Sequence, residues 1–153
     1  MRLSLLALTV VLTASAAAAE DRRWFAQFQA GSATLHEWDP SGAWYEGRVG
    51  RSFSGRVLSA DLGLVLSGAA EDYASLTAGF EALPFPRAVV SPFARAEVGV
   101  LGEPEYGGYV AGLGGGLVVR LDDRVSLRGG AIWGAHGDVW GPVVYCGGLQ
   151  LRW

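Results

Sequence analysis

The chain has 153 residues, 50% of them hydrophobic, a mean hydropathy of +0.25, and a net charge of −3 from twelve basic and fifteen acidic residues. This length holds one domain, and an acid excess with no basic patch in the sequence argues against nucleic acid as a partner, because phosphate binding needs cations gathered on one face. A single cysteine, Cys146, excludes an internal disulfide, and every basic residue is arginine, whose fixed fork suits pairing with carboxylates in a confined space.

Met1-Arg2 supplies one positive charge, Leu3 to Ala14 is apolar apart from Ser and Thr, and residues 15–19 are small. This is the pattern of a secretory signal peptide over residues 1–19, cut after Ala19, with an apolar core too short to span a bilayer. The mature domain is then 20–153, and Cys146 lies too far from the cut to carry an N-terminal lipid. Beyond the signal, hydrophobicity comes in alternation and not in the ~18-residue runs of a spanning helix.

Period-two alternation predicts eight strands. The first, 23–33, sets Trp24, Ala26, Phe28 and Ala30 against Gln27 and Gln29, and the second, 43–53, sets Tyr45, Val49 and Phe53 against Glu46 and Arg48. In the third, 57–66, Leu58, Ala60, Leu62, Leu64 and Leu66 oppose Ser59, Asp61 and Gly63. The fourth and fifth, 73–82 and 90–101, set Leu76, Phe80, Ala96 and Val98 against Thr77, Glu81, Arg95 and Glu97. The sixth, 106–121, has Tyr109, Leu113, Leu117 and Val119 against glycines and Arg120. The seventh, 124–134, has Leu127 and Trp133 against Arg128, and the eighth, 143–153, has Tyr145, Gly147, Leu149, Leu151 and Trp153 against Cys146, Gln150 and Arg152.

An even number of strands of about ten residues each fits an all-β, eight-stranded antiparallel up-and-down transmembrane barrel. Tight connections are expected at Ser54-Gly55, at the proline-pinned 83–87 and at Asp122-Asp123, with longer loops over 34–42, 67–72, 102–105 and 135–142 at the other end. Aromatic residues sort to the strand ends in two belts: Trp24, Phe53, Phe80, Phe85, Phe93 and Trp153 at the turn end, and Trp44, Tyr45, Tyr73, Tyr106, Tyr109, Trp133, Trp140 and Tyr145 at the loop end.

The opposite parity carries Glu46, Arg48, Asp61, Glu81, Arg95, Glu97, Arg120 and Arg128, four acids and four arginines that converge on the lumen of a closed barrel and offset one another. Such a lumen is plugged, and the glycines of the sixth strand are expected to make room for arginines from across it. The run Gly112-Leu-Gly-Gly-Gly-Leu117 has no following Lys-Ser/Thr and reads as strand, not as a phosphate loop. Cys146 reads as a packed thiol, and His36, Glu37, Asp39, His136 and Asp138 read as solvated loop residues without metal-ligand spacing.

The whole of 20–153 resembles the OmpA/OmpX and opacity-protein class of small outer-membrane barrels. That resemblance implies the bacterial outer membrane, a monomer among outer-membrane lipids and lipopolysaccharide, and a last strand that the barrel assembly machinery reads through Tyr145, Gly147, Leu149, Leu151 and Trp153. The final Trp departs from the usual Phe. It implies no cofactor and a non-enzymatic structural or surface role through the outer loops. A second reading is a hydrolase similar to the lipid A 3-O-deacylase family, whose catalytic His, near the outer end of the penultimate strand, is followed two residues later by Ser; His136 is similarly placed, but Asp138 stands at that position. A third is a soluble, lipocalin-like periplasmic barrel, which needs the apolar parity inside.

Overall fold

A computed structural model describes residues 24–34, 42–68, 73–102, 108–136 and 139–153, with backbone alone at 34, 73, 136 and 139–142. The expected signal peptide, His36, Glu37, Asp39, Tyr106 and Asp138 lie outside the described residues, as do the side chains of Tyr73, His136 and Trp140. Eight strands follow in order: β1 (Trp24–Thr34), β2 (Gly42–Phe53), β3 (Leu58–Ser67), β4 (Tyr73–Ala82), β5 (Val90–Leu101), β6 (Tyr109–Arg120), β7 (Val125–His136) and β8 (Val139–Arg152). Each pairs antiparallel with the next, and β8 returns to β1 to close a barrel, so no sheet edge is left open. The seam ends in a reciprocal pair of backbone hydrogen bonds between Trp24 and Trp153, both 3.1 Å.

Local chemistry explains the turns at one end. After β2 the chain reverses through Ser54, Gly55 and Arg56 with φ of 48°, 65° and 75°. Successive left-handed residues match the twist of a hairpin, although only the central position is the glycine that adopts them without cost. After β6, the Asp122 carboxylate accepts the backbone N–H groups of Arg124 at 2.6 Å and Val125 at 2.7 Å. Those two bonds, from Arg124 first, hold its pKa below the ordinary carboxylate value.

The connection between β7 and β8 differs from expectation. In place of a loop over 135–142, β7 runs to His136 and β8 starts at Val139, and these two residues pair. Trp133 pairs with Val143 but Ala135 with Trp140, so β8 carries one extra residue there. Pro142 lies in that bulge and has no N–H to give the ladder.

Alternation then decides what each face meets. Outward lie Phe28, Val49, Leu64, Leu76, Val98, Leu113, Leu127 and Leu149, one from each strand and 39–64% exposed. Inward lie Gln27, Arg48, Asp61, Thr77, Arg95, Arg128 and Gln150, all 1–6% exposed. The core is therefore the lumen, and its polar middle sits between two small apolar groups. Ala33, Trp44, Val65, Ile132 and Val144 pack toward the loop end, and Leu83, Phe93 and Val118 pack toward the turn end.

Two belt assignments are corrected by this parity. Trp44 is 2% and Phe93 8% exposed, both inside the lumen. Trp44 alternates with Glu46 and Arg48, and Phe93 with Arg95, so the pleat turns both rings inward wherever they fall along the strand. Exposed rings at the strand ends are Phe53, Phe80, Phe85 and Trp153 on one side and Tyr45, Tyr109, Trp133 and Tyr145 on the other.

Candidate functional site: the charged lumen

The lumen's polar middle is one connected network. Arg48 on β2 is its hub, pairing with Glu46, with Asp61 at 3.0 Å and with Glu97 at 2.5 Å. Arg95 on β5 shares two of these acids, reaching Asp61 at 2.7 Å and Glu97 at 3.1 Å, and lies 3.8 Å from Glu81. Glu81 passes the connection to Arg128 on β7. From there Arg128 donates to Gln150 Oε1 at 3.3 Å, and Arg152 donates to the same oxygen at 3.0 Å. The Arg128 guanidinium also lies 4.4 Å from the Phe93 ring centre, a cation–π contact that a desolvated interior strengthens.

Seven of the eight lumen charges expected from sequence are thus brought together. Arg120 is not. It sits on the last residue of β6, at the barrel mouth, and donates to the Arg87 backbone carbonyl at 3.2 Å. Arg152 and Gln150, with the inward parity of β8, extend the network in its place.

Glycine supplies the room. A Cβ on Gly79 would collide with the Arg95 guanidinium and stand 2.8 Å from Asp61 Oδ1, and one on Gly63 would stand 3.1 Å from Arg48 Cγ. The arginines therefore lie against glycines of β3 and β4. The β6 glycines do something else: a Cβ at Gly114 or Gly116 would strike the β7 backbone, so their absent side chains permit tight sheet curvature, while Gly112 faces Ile132 and Glu97.

Above the network a pocket of ≈ 10 Å³, measured at the centre of a water-sized sphere, is lined by Trp44, Val65, Ser75, Glu97, Ile132 and Val144 among others. That is room for about one water. Ser75 Oγ and Glu46 Oε2 are buried without a hydrogen-bond partner, while Glu46 Oε1 faces the Arg48 guanidinium.

Of the remaining sequence candidates, the Cys146 thiol lies 3.5 Å from Gln29 Oε1 and 3.8 Å from the Gly130 carbonyl, either of which can accept its one proton, as for a packed residue. The His136 backbone pairs with Val110 on β6 and Val139 on β8. Tyr145, Gly147, Leu149, Leu151 and Trp153 line the outer face of β8. Charges occupy the interior that a lipocalin-like barrel would line with apolar residues, so the third reading loses its premise.

A closed, eight-stranded, antiparallel up-and-down barrel with an apolar exterior and a charged interior has the fold of the small transmembrane β-barrels. Among solved structures the chain is similar to Neisserial surface protein A (NspA), with a TM-score of 0.67 and 11% identity over 88% of this chain and 98% of that one. It is also similar to a structure from the de novo design of transmembrane β-barrels, with a TM-score of 0.60 and 12% identity over 89% of this chain and 98% of the other. No protein-family model matches the chain, and no curated protein sequence is similar to it.

Proposed function

We propose that the chain is an integral protein of a bacterial outer membrane, non-enzymatic, with a lumen closed to solutes and with its contacts to the outside made by the loops opposite the turn end. One observation carries this reading: the polarity of the molecule is inverted. Large apolar side chains from all eight strands stand exposed, while Glu46, Arg48, Asp61, Glu81, Arg95, Glu97 and Arg128 are 1–7% exposed. An exterior of that extent is unstable in water and stable in lipid.

Closure of the lumen is supported by the chain of ion pairs crossing it and by the apolar groups above and below. Eight strands enclose an interior that side chains fill. The similarity to a Neisserial surface protein supports a surface role. The outer face of β8, ending at Trp153 where the seam closes on Trp24, is the segment the assembly machinery would read, and lipopolysaccharide is the lipid that the loop end would meet.

Refolding into detergent tests the proposal. The expected product is β-rich, migrates differently in gels before and after boiling, resists alkaline extraction from vesicles and gives no conductance steps in a planar bilayer. Recovery as a detergent-free soluble monomer contradicts membrane integration, and discrete conductance steps contradict a closed lumen.

A further inference from the structure

Among the described residues, the arginines outside the ion pairs named above are sorted by end. Each turn-end connection carries arginine: Arg56 after β2, Arg87 after β4, and Arg120 with Arg124 around the β6–β7 turn. Arg51, on the outer parity of β2, joins them. It pairs in register with Trp24, and its guanidinium lies 5.3 Å from the centre of that ring. The only described acids among these turns are Asp122 and Asp123, and Asp122 is engaged by the backbone N–H groups of Arg124 and Val125. By contrast, the segments 34–42, 67–72, 102–105 and 135–142 at the other end hold Glu37, Asp39, Glu71, Asp72, Glu103, Glu105 and Asp138 in sequence and no arginine. The basic patch missing from the linear sequence is assembled by barrel closure, which gathers residues far apart in the chain around one rim.

We propose that this rim docks the phosphate groups of anionic phospholipids in the periplasmic leaflet. The inference rests on the membrane-integral reading, which puts the turn end on the periplasmic side. Its geometry suits a headgroup. Arg51 lies over an outward-facing Trp at the depth of Phe53, Phe80 and Trp153, where an aromatic ring sits between acyl chain and water, and an arginine stem can lie on the apolar wall while the fork reaches phosphate. Arg120 is tied to the Arg87 carbonyl, so two turns present their cations as one unit. Guanidinium binds phosphate through two parallel N–H bonds, so the contact is directional as well as electrostatic.

The test is native mass spectrometry of the refolded, heat-modifiable barrel in neutral detergent, titrated with phosphatidylglycerol or phosphatidylcholine. Phosphatidylglycerol should be retained at least about tenfold better, and each arginine neutralised should weaken it about fivefold. R51Q/R120Q and, in the exposed turns, R87Q/R124Q should each lose most of the preference, whereas R51K/R120K should keep more of it. Equal retention of the two lipids, or wild-type retention by both Gln variants, overturns the proposal. Binding of lipid A headgroups that falls in step in these variants also overturns it, by placing the rim in the other leaflet. A barrel that is soluble without detergent refutes the membrane reading itself, a separate result.

Discussion

Replacing Arg48 with methionine keeps most of the apolar stem and removes the cation that three buried carboxylates share. Asp61 and Glu97 each keep a contact with Arg95, at 2.7 Å and 3.1 Å, although one guanidinium then serves both. Glu46 has no second guanidinium among the described ion pairs. The expected loss is at least that of one orphaned buried charge, about 3–5 kcal/mol. Adding Glu46→Gln removes the orphan and should return about 1–3 kcal/mol, a coupling that independent sites do not show. Urea unfolding of the barrel in lipid vesicles, followed by tryptophan fluorescence with the heat-modified band as the fold check, measures both. A loss below about 1 kcal/mol for Arg48→Met, or strict additivity with Glu46→Gln, would refute the view that Arg48 holds the network together.

Three further outcomes follow from the same geometry. Gly79→Ala should destabilise the barrel by about 1–3 kcal/mol because its Cβ meets Arg95 and Asp61, while Gly47→Ala, with nothing within 4 Å, should be near neutral; equal effects in urea unfolding would contradict the placement of the two faces. Trp44→Ala should cost about 3–5 kcal/mol as a lumen cavity, and brominated lipid should fail to quench Trp44 although it quenches Trp133, which quenching measurements on single-tryptophan variants check. Asp122 should titrate below the usual value of about 3.9, so its bracing of the turn is complete above that value and is lost as pH falls through the lower folded pKa; a carboxyl NMR midpoint at or above about 3.9 would contradict the turn geometry.

Parity was the legible part of the sequence, and it reaches further than strand ends do. In β3 five alternate aliphatic residues leave one register, because a slip by one residue would turn all of them into the lumen. The same rule, applied strictly, puts Trp44 and Phe93 inside, since each shares the parity of a buried arginine. Sorting aromatics by their place along the strand misassigned both. The β7–β8 hairpin was hidden for a different reason: the extra residue near Pro142 breaks period two, so alternation stops before the strands do. Arg120 has inward parity but stands at the mouth, where a long side chain reaches the Arg87 carbonyl instead of the interior. Which acid meets which arginine depends on barrel stagger, and no one-dimensional pattern carries that.

The central claim is that lipid meets one face of every strand and a filled polar interior the other. Site-directed spin labelling along β3 tests it most directly, with single cysteines at Leu62, Leu64, Val65 and Leu66 in a Cys146→Ser background and the barrel refolded in vesicles. Labels at Leu62, Leu64 and Leu66 should collide with oxygen dissolved in the bilayer and not with a water-soluble nickel reagent, whereas the label at Val65 should be shielded from both. Labels at Leu62 and Leu64 that the nickel reagent reaches freely, or an absence of alternation along the four positions, would contradict the account.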